Sequence, residues 1–173
     1  MTSKAQDYWD EEELPEKFKT VAVGGTFDEL HRGHKVLLMK AFEAGDRVLI
    51  GLCSDEFAKK LKKPHLTASY EERLEALQTF LFSRGILERA KILQLNDPFG
   101  PTISKGPIEA LIVSKETEPT ALKINEKRKQ ARLSPLKIIA IEMVPSQNRA
   151  PISTTRIRHG EIDHEGRLLK LTN

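Results

Sequence analysis

The chain has 173 residues, of which 39% are hydrophobic and 31% charged, with a formal net charge of +3. This length supports one domain with a sizeable core and is short for two, so we expect a single domain over residues 1–173. No apolar run approaches the roughly 20 residues that span a bilayer, and the N-terminus lacks the apolar core of a signal peptide. One cysteine, Cys53, excludes an internal disulfide and a cysteine-cluster metal site. We expect a buried thiol in a cytoplasmic protein.

The charge is unevenly distributed along the chain. Residues 1–17 hold six acidic and two basic side chains, which predicts an acidic N-terminal arm. The remainder is basic, and a basic surface suits anionic ligands. The sequence has no helix-turn-helix, RNA-binding or zinc-finger pattern, so neither nucleic acid nor a membrane is expected as a partner.

The most informative stretch, residues 21–34, reads Val-Ala-Val-Gly-Gly-Thr-Phe-Asp-Glu-Leu-His-Arg-Gly-His. Its short apolar run with β-branched ends predicts a buried strand over residues 19–23. Gly24 and Gly25 then predict a sharp turn that a ligand can approach closely. Apolar residues at helical spacing predict a helix over residues 33–43.

Two histidines, His31 and His34, flank the predicted start of this helix. A strand, a glycine turn and a helix N-terminus together form an anion site, because free N–H groups and the positive end of the helix dipole face the same point. Imidazole can hydrogen-bond phosphate oxygens and stabilise charge that develops on them. The stretch therefore predicts a phosphate-binding site.

The rest of the chain alternates between strands and helices. Strands are predicted at 47–53, 92–95, 110–113 and 137–144. Helices are predicted from Ser54 or Asp55 to 61, after a capping box at 69–72, at 121–133 and as a capped turn at 152–158. This alternation predicts an α/β fold, a Rossmann-like doubly wound parallel five-stranded sheet with helices on both faces. Ligands of such sheets bind beyond the carboxyl ends of the strands.

Two further stretches are expected at the edge of the sheet formed by the carboxyl ends of the strands. Ser153, Thr154 and Thr155 offer hydroxyls and free N–H groups at a helix start, and Arg158 follows about one turn later, which predicts a second phosphate site. Lys62 and Lys63 follow the second strand and would stand at the same edge.

These motifs resemble those of the nucleotidyltransferase superfamily, whose members adenylylate or cytidylylate small phosphorylated molecules. Gly-Thr-Phe-Asp followed by His-x-Gly-His is its signature, and Ile-Ser-Thr-Thr-x-x-Arg is expected about 120 residues later, as here. In that superfamily the first lysine of Lys-Lys-Pro, before Glu-Glu-Arg, contacts the reacting phosphates. The resemblance assigns this role to Lys62, although a spacer two residues longer than usual leaves Lys63 as an alternative.

One member family is favoured by a fourth stretch. Val113-Ser-Lys-Glu-Thr117, followed by Asn125 and Arg128, resembles phosphopantetheine adenylyltransferases of the archaeal and eukaryotic type, over about residues 19–160. Glycerol-phosphate cytidylyltransferases usually carry Arg-Thr-x-Gly before Ile-Ser-Thr-Thr, which this chain lacks. Another small-molecule nucleotidyltransferase, of the FMN adenylyltransferase or the glycerol-3-phosphate cytidylyltransferase type, stays open as an alternative.

The resemblance implies transfer of AMP from ATP to 4′-phosphopantetheine, giving dephospho-coenzyme A and pyrophosphate. It implies Mg²⁺ held mainly by ATP, with no protein metal ligand. The implied catalytic residues are His34, Lys62 and Thr26. The implied nucleotide-binding residues are Gly24, Gly25, Phe27, His31, Gly33, Ser153, Thr154, Thr155 and Arg158. The implied acceptor-binding residues are Thr26, Asp28 and Lys62.

Two non-catalytic functions are the alternatives to an enzyme. A nucleotide-sensing module would keep the phosphate loops without turnover, but it would not need both histidines and Lys62. A scaffold protein would use the acidic arm and the charged helix at 121–133. The sequence does not determine the oligomeric state.

Overall fold

A computed structural model describes residues 17–170; apart from Lys17, the predicted acidic arm lies outside this range. Five parallel strands form one sheet in the order β3-β2-β1-β4-β5, as predicted. The strands are β1 (Phe18–Gly25), β2 (Gly45–Cys53), β3 (Ala90–Leu95), β4 (Ala110–Ser114) and β5 (Lys137–Ile141). The α-helices are α1 (Arg32–Ala44), α2 (Asp55–Lys60), α3 (Tyr70–Ser83), α4 (Glu118–Gln130) and α5 (Thr154–Arg158).

The central strand β1 is covered on both faces. Successive side chains of a strand point to opposite faces, and here Val21 and Val23 belong to one buried apolar cluster while Ala22 belongs to the other. Burial on both sides explains why the strand is a continuous apolar run. Among the described helices, none is long and apolar enough to cross a membrane.

The predicted turn at Gly24 and Gly25 is wrong. Both residues continue β1 and pair with Gly51 and Leu52 of β2. A Cβ on Gly25 would lie 3.3 Å from the ring of Phe27, so this glycine provides space for a neighbouring side chain. The chain turns later, where Phe27 and Glu29 adopt left-handed backbone angles (φ 50° and 49°).

Several predicted boundaries also move. Helix α4 begins at Glu118 instead of residue 121. Pro119 is tolerated in its first turn because an N–H group there would have no partner within the helix. The last strand ends at Ile141, short of the predicted Val144, whose carbonyl instead accepts a hydrogen bond from the Ile152 N–H. The predicted helix at 152–158 is only the short α5.

The strand order reverses direction at β1, which lies between β2 and β4. At such a point the connections that leave neighbouring strands run to opposite sides, and a crevice opens at their carboxyl ends. The turn at 26–30, the connection at 61–69 and the segment before α5 make contacts with one another there. This is the location predicted for the ligand site.

Candidate active site

His31 and His34 close the first turn of α1 on themselves. His31 is the N-cap residue, and its Nδ1 accepts hydrogen bonds from the N–H groups of Gly33 (3.1 Å) and His34 (3.4 Å). In return, Nδ1 of His34 accepts from the His31 N–H at 3.3 Å. The two rings stack with centroids 3.7 Å apart. Two imidazoles thus form the reciprocal cap that Ser or Thr and Glu usually form.

This cap fixes which ring nitrogens carry protons. Because Nδ1 of both rings accepts a backbone N–H, the neutral rings hold their protons on Nε2. Burial, followed by the charges of His164, Lys63 and Lys35, lowers the pKa of His31 to about 4. Burial, followed by the charges of His31 and Lys63, lowers the pKa of His34 well below its usual value. The histidines are therefore neutral N–H donors at physiological pH.

Gly33 makes the stacked arrangement possible. A Cβ at this position would lie 2.9 Å from Cε1 and 3.0 Å from Nδ1 of His31. The His31 ring has little freedom to move away, because it accepts the two N–H groups of the cap and stacks on His34. Gly33 is therefore needed to leave room for the His31 ring more than for its backbone conformation.

Asp28 links three segments around the crevice. Its carboxylate is completely buried and accepts two hydrogen bonds from Arg158 of α5, at 3.0 and 2.9 Å, and one from the Ala68 N–H at 3.0 Å. Burial alone would raise the pKa of Asp28, but the bonds from Arg158 and Ala68 hold it below its usual value. These contacts are structural, so direct contact between Asp28 and an acceptor stays a prediction.

A second buried charge reinforces the same edge. The Arg73 side chain is 1% exposed and donates to the carbonyls of Thr26, Cys53 and Ala68, at 2.9, 2.8 and 2.9 Å. Its remaining nitrogen pairs with Asp55 at 2.9 Å. The residue ties the ends of β1 and β2 to the connection that carries the two lysines.

The segment of α5 approaches from the other side of β1. The Thr154 hydroxyl donates to the Asp28 carbonyl at 2.9 Å, and Ser153 caps the helix by accepting from the Arg156 N–H at 3.3 Å. Nε and Nη2 of Arg158 bind Asp28, and Nη1 takes no part in that pair. Contact between a ligand and either Thr155 or Nη1 of Arg158 stays a prediction.

The two candidate lysines differ in their effect on the histidines. Both are exposed, and the charge of Lys63 contributes to the lowered pKa of His31 and His34. Lys62, which adopts a left-handed backbone (φ 49°), has no such effect on either ring. Which of the two lysines contacts the reacting phosphates stays a prediction.

Phe27 is 1% exposed and packs edge-on against His34, with ring centroids 5.4 Å apart. Its ring belongs to the core and supports His34, so a direct contact with the nucleotide stays a prediction. Thr26 is 7% exposed, and its carbonyl is used by Arg73. Cys53 is buried as expected, and burial raises the pKa of its thiol.

Two contributors to the site had no recognisable sequence signal. The C-terminal segment around His164 packs on the start of α1: its carbonyl accepts from the Arg32 N–H at 2.9 Å, and its imidazole lies 2.7 Å from a Glu29 carboxylate oxygen. His65 lies between the lysines and Ala68, with its side chain 6% exposed beside Asp28. Only tertiary structure brings these residues to the crevice.

The carboxylates near the histidines already have side-chain partners. Asp28 binds Arg158, and Glu29 contacts both Arg158 at 3.3 Å and His164. Residues 17–170 contain no cluster of three or more histidine, cysteine or acidic side chains that could hold a metal ion.

Comparison with known proteins agrees with this geometry. The model of the cytidylyltransferase-like family matches residues 22–160. A phosphopantetheine adenylyltransferase of Methanosarcina mazei is 48% identical, covering 87% of this chain and 97% of the relative. One of Methanothermobacter thermautotrophicus is 41% identical, covering 91% of this chain and 93% of the relative.

A crystal structure of an Archaeoglobus fulgidus protein of unknown function also matches, with a TM-score of 0.63 and 32% identity, covering 72% of this chain and 98% of that one. The match confirms the predicted Rossmann-like fold. The sequence relatives cover 87–91% of the chain at well above 30% identity, and the range of the family model contains both histidines and α5. The chain therefore belongs to the cytidylyltransferase-like family and, within it, to the phosphopantetheine adenylyltransferases.

Proposed function

We propose that this chain transfers the adenylyl group of ATP to 4′-phosphopantetheine and releases pyrophosphate. The observation that carries the proposal is the pair of neutral, stacked histidines at the start of α1, whose protonated Nε2 atoms suit phosphate oxygens. A site that only bound nucleotide would need no such buried donors beside the reacting phosphorus. The names of the relatives supply the acceptor.

The reaction needs positioning more than acid–base chemistry. A phosphate oxygen of the acceptor attacks the α-phosphorus, the bond from that phosphorus to the bridging oxygen breaks, and pyrophosphate leaves with the electron pair. A phosphate oxygen is already an adequate nucleophile, so no protein base is required. The protein contributes alignment and donors aimed at the charge of the transition state.

The proposed roles follow the geometry. His34 donates through Nε2 to the α-phosphate, and Lys63, rather than Lys62, neutralises the charge that develops there. Thr26 bridges the two reacting phosphates. The remaining proposed nucleotide contacts are His31, the backbone around Gly24, Gly25 and Gly33, and, for the β- and γ-phosphates, Ser153, Thr155 and Nη1 of Arg158. Because the nearby carboxylates are paired, we propose that Mg²⁺ is held mainly by ATP, where it supplies charge neutralisation.

A panel of acceptors tests the proposal. Pyrophosphate release from ATP is measured with 4′-phosphopantetheine or FMN, and from CTP with glycerol 3-phosphate, using the full chain and His34→Ala as a background. We expect fastest turnover with 4′-phosphopantetheine. Faster turnover with another pair would overturn the acceptor, and nucleotide binding without pyrophosphate release would indicate a sensing module.

A further inference from the structure

Among the buried side-chain nitrogen and oxygen atoms of residues 17–170, only Nε2 of His65 lacks a hydrogen-bond partner. The His65 side chain is 6% exposed. An unpaired polar atom sealed from solvent costs free energy, so such atoms are rare in native proteins and call for a physical explanation. His65 also belongs to the connection that carries Lys63.

The surroundings of Nδ1 determine the chemistry of Nε2. Nδ1 lies 3.2 Å from the Leu66 carbonyl oxygen and 3.9 Å from a carboxylate oxygen of Asp28. Both neighbours are acceptors, so the neutral ring holds its proton on Nδ1 and presents a lone pair at Nε2. His65 is thus the opposite of His31 and His34, which present protons at Nε2. Its partner must be a hydrogen-bond donor, which a phosphate oxygen is not.

The position of His65 favours the acceptor over the nucleotide as the source of that donor. The connection at 61–69 follows β2 and is tied by Arg73 to the end of β2 through the carbonyls of Ala68 and Cys53. The α5 segment follows β5, on the other side of β1. Because the β- and γ-phosphates of ATP are proposed to lie against α5, the acceptor is the substrate that we assign to the side of β2 and to His65.

Resting on the function proposed above, we propose that Nε2 of His65 accepts a hydrogen bond from the secondary hydroxyl of 4′-phosphopantetheine. This hydroxyl is the donor nearest the phosphate, on the third carbon from the ester oxygen. His65 is two residues beyond Lys63, a separation of at most about 7 Å along an extended chain, which matches the short distance from phosphate to hydroxyl. A small shift of the connection uncovers Nε2; the neighbouring Leu66 is 89% exposed and does not oppose it by packing.

The test compares two acceptors on the full-length chain. They are 4′-phosphopantetheine and the analogue in which the secondary hydroxyl is replaced by hydrogen. The variants are His65→Asn, whose amide lies near the place of Nδ1, and His65→Gln, whose amide reaches the place of Nε2. His159→Gln is the matched control, because its side chain is 53% exposed. KM for each acceptor, KM for ATP and the thermal midpoint are measured.

For the wild type we expect KM for the deoxy acceptor to be about tenfold higher, the effect of one lost neutral hydrogen bond. His65→Asn should raise KM for the natural acceptor about tenfold and abolish the preference, while His65→Gln retains part of it and KM for ATP stays unchanged. A wild type that does not distinguish the acceptors overturns the inference, whatever the variants do. So does a variant that lowers the thermal midpoint while keeping the full preference. Failure of the proposed function is seen separately, as absent pyrophosphate release with the natural acceptor.

Discussion

Asp28 and Arg158 are 130 positions apart in the sequence and form a two-point ion pair, with Nε to Oδ2 at 3.0 Å and Nη2 to Oδ1 at 2.9 Å. The Asp28 carboxylate is completely buried, whereas the Arg158 side chain is 25% exposed. Because the same carboxylate accepts the Ala68 N–H, one side chain fixes α5 and the lysine-bearing connection relative to β1. Two segments proposed to bind different substrates are therefore held by one carboxylate.

Replacing Arg158 should destabilise the fold. Arg158→Gln leaves a buried carboxylate without its cation, and we expect the free energy of unfolding to fall by about 3 kcal/mol. Chemical denaturation at pH 7 measures this. Lys115→Gln is the control, because it breaks an exposed ion pair with Glu118 that contributes about 0–1 kcal/mol. The double variant Asp28→Asn/Arg158→Gln should recover most of the loss. Equal losses for Arg158→Gln and Lys115→Gln would contradict the role of the pair.

The sheet could be predicted from the sequence because its signals are local. Strands buried on both faces are apolar runs, and the capping box at Ser69 and Glu72 lies within four residues. The pairing of Asp28 with Arg158 could not be predicted, since nothing in the local sequence of either residue specifies a partner so far away. The pairing of Gly24 and Gly25 in β1 was missed for a related reason: two glycines favour a turn locally, and contacts with β2 override that preference.

The tautomers of His31 and His34 can be observed directly. In ¹⁵N spectra of labelled histidine, we expect both rings to be neutral at pH 7 with the proton on Nε2, because both Nδ1 atoms accept N–H groups. The His31 ring should titrate near pH 4. A midpoint near 6.5 for both rings, or protons on Nδ1, would exclude the histidine cap.

The same pKa values predict how stability depends on pH. Unfolded histidines take up protons as the pH falls through about 6.5, while folded His31 stays neutral until about pH 4. The unfolded chain therefore binds more protons over that interval, and the free energy of unfolding should decrease as the pH falls. His31→Asn should weaken this dependence in denaturation experiments at pH 4.5–7. An unchanged slope would contradict the lowered pKa.

Gly33→Ala tests whether the His31 ring must lie over the glycine. The added Cβ would be 2.9 Å from Cε1 of His31, so the ring must move and its cap weakens. Alanine favours helix by about 1 kcal/mol, so stability should change little while kcat falls by about 10²-fold, as for a small misplacement of a reacting group. Gly106→Ala is the control, with no atom within 4 Å of its Cβ. Wild-type kcat in Gly33→Ala would refute the role.

Lys62→Met and Lys63→Met form a matched pair on adjacent exposed residues. The charge of Lys63 acts on both histidines, so its removal should lower kcat by about 10²–10³, as for other single groups that stabilise developing charge. Lys62→Met should change kcat little. Steady-state kinetics with saturating substrates decides between them, and a larger effect at Lys62 would restore the assignment that the motif alone suggests.

The site could be predicted only as far as its motifs extend. His31, His34 and the Ser-Thr-Thr segment were recognisable because their spacing is fixed along the chain. The choice between Lys62 and Lys63 was not, because the connection at 61–69 is irregular and its longer spacer leaves the register open. His164 and His65 reach the crevice only through packing of distant segments. Sequence patterns thus predicted which segments meet at the crevice better than the residues that hold those segments in place.

The cap made by His34 and its proposed role as a donor can be distinguished by separate variants. Its Nδ1 accepts the His31 N–H, and its Nε2 proton is the proposed donor to the α-phosphate. His34→Asn retains an acceptor near Nδ1 and loses the distal donor, His34→Gln places an amide near Nε2, and His34→Ala removes both. A bond that strengthens as the phosphorus becomes five-coordinate lowers the barrier without tightening ATP binding.

We therefore expect His34→Ala and His34→Asn to lower kcat by about 10²–10³ with little change in ATP affinity, and His34→Gln to retain more activity than either. Thermal unfolding should separate the cap from the donor, because only the variants without an acceptor near Nδ1 lose the cap, at a cost of about 1 kcal/mol. If His34 only caps the helix, His34→Ala melts earlier but turns over normally. That result would remove His34 from the mechanism and leave Lys63 as the main group stabilising the α-phosphate.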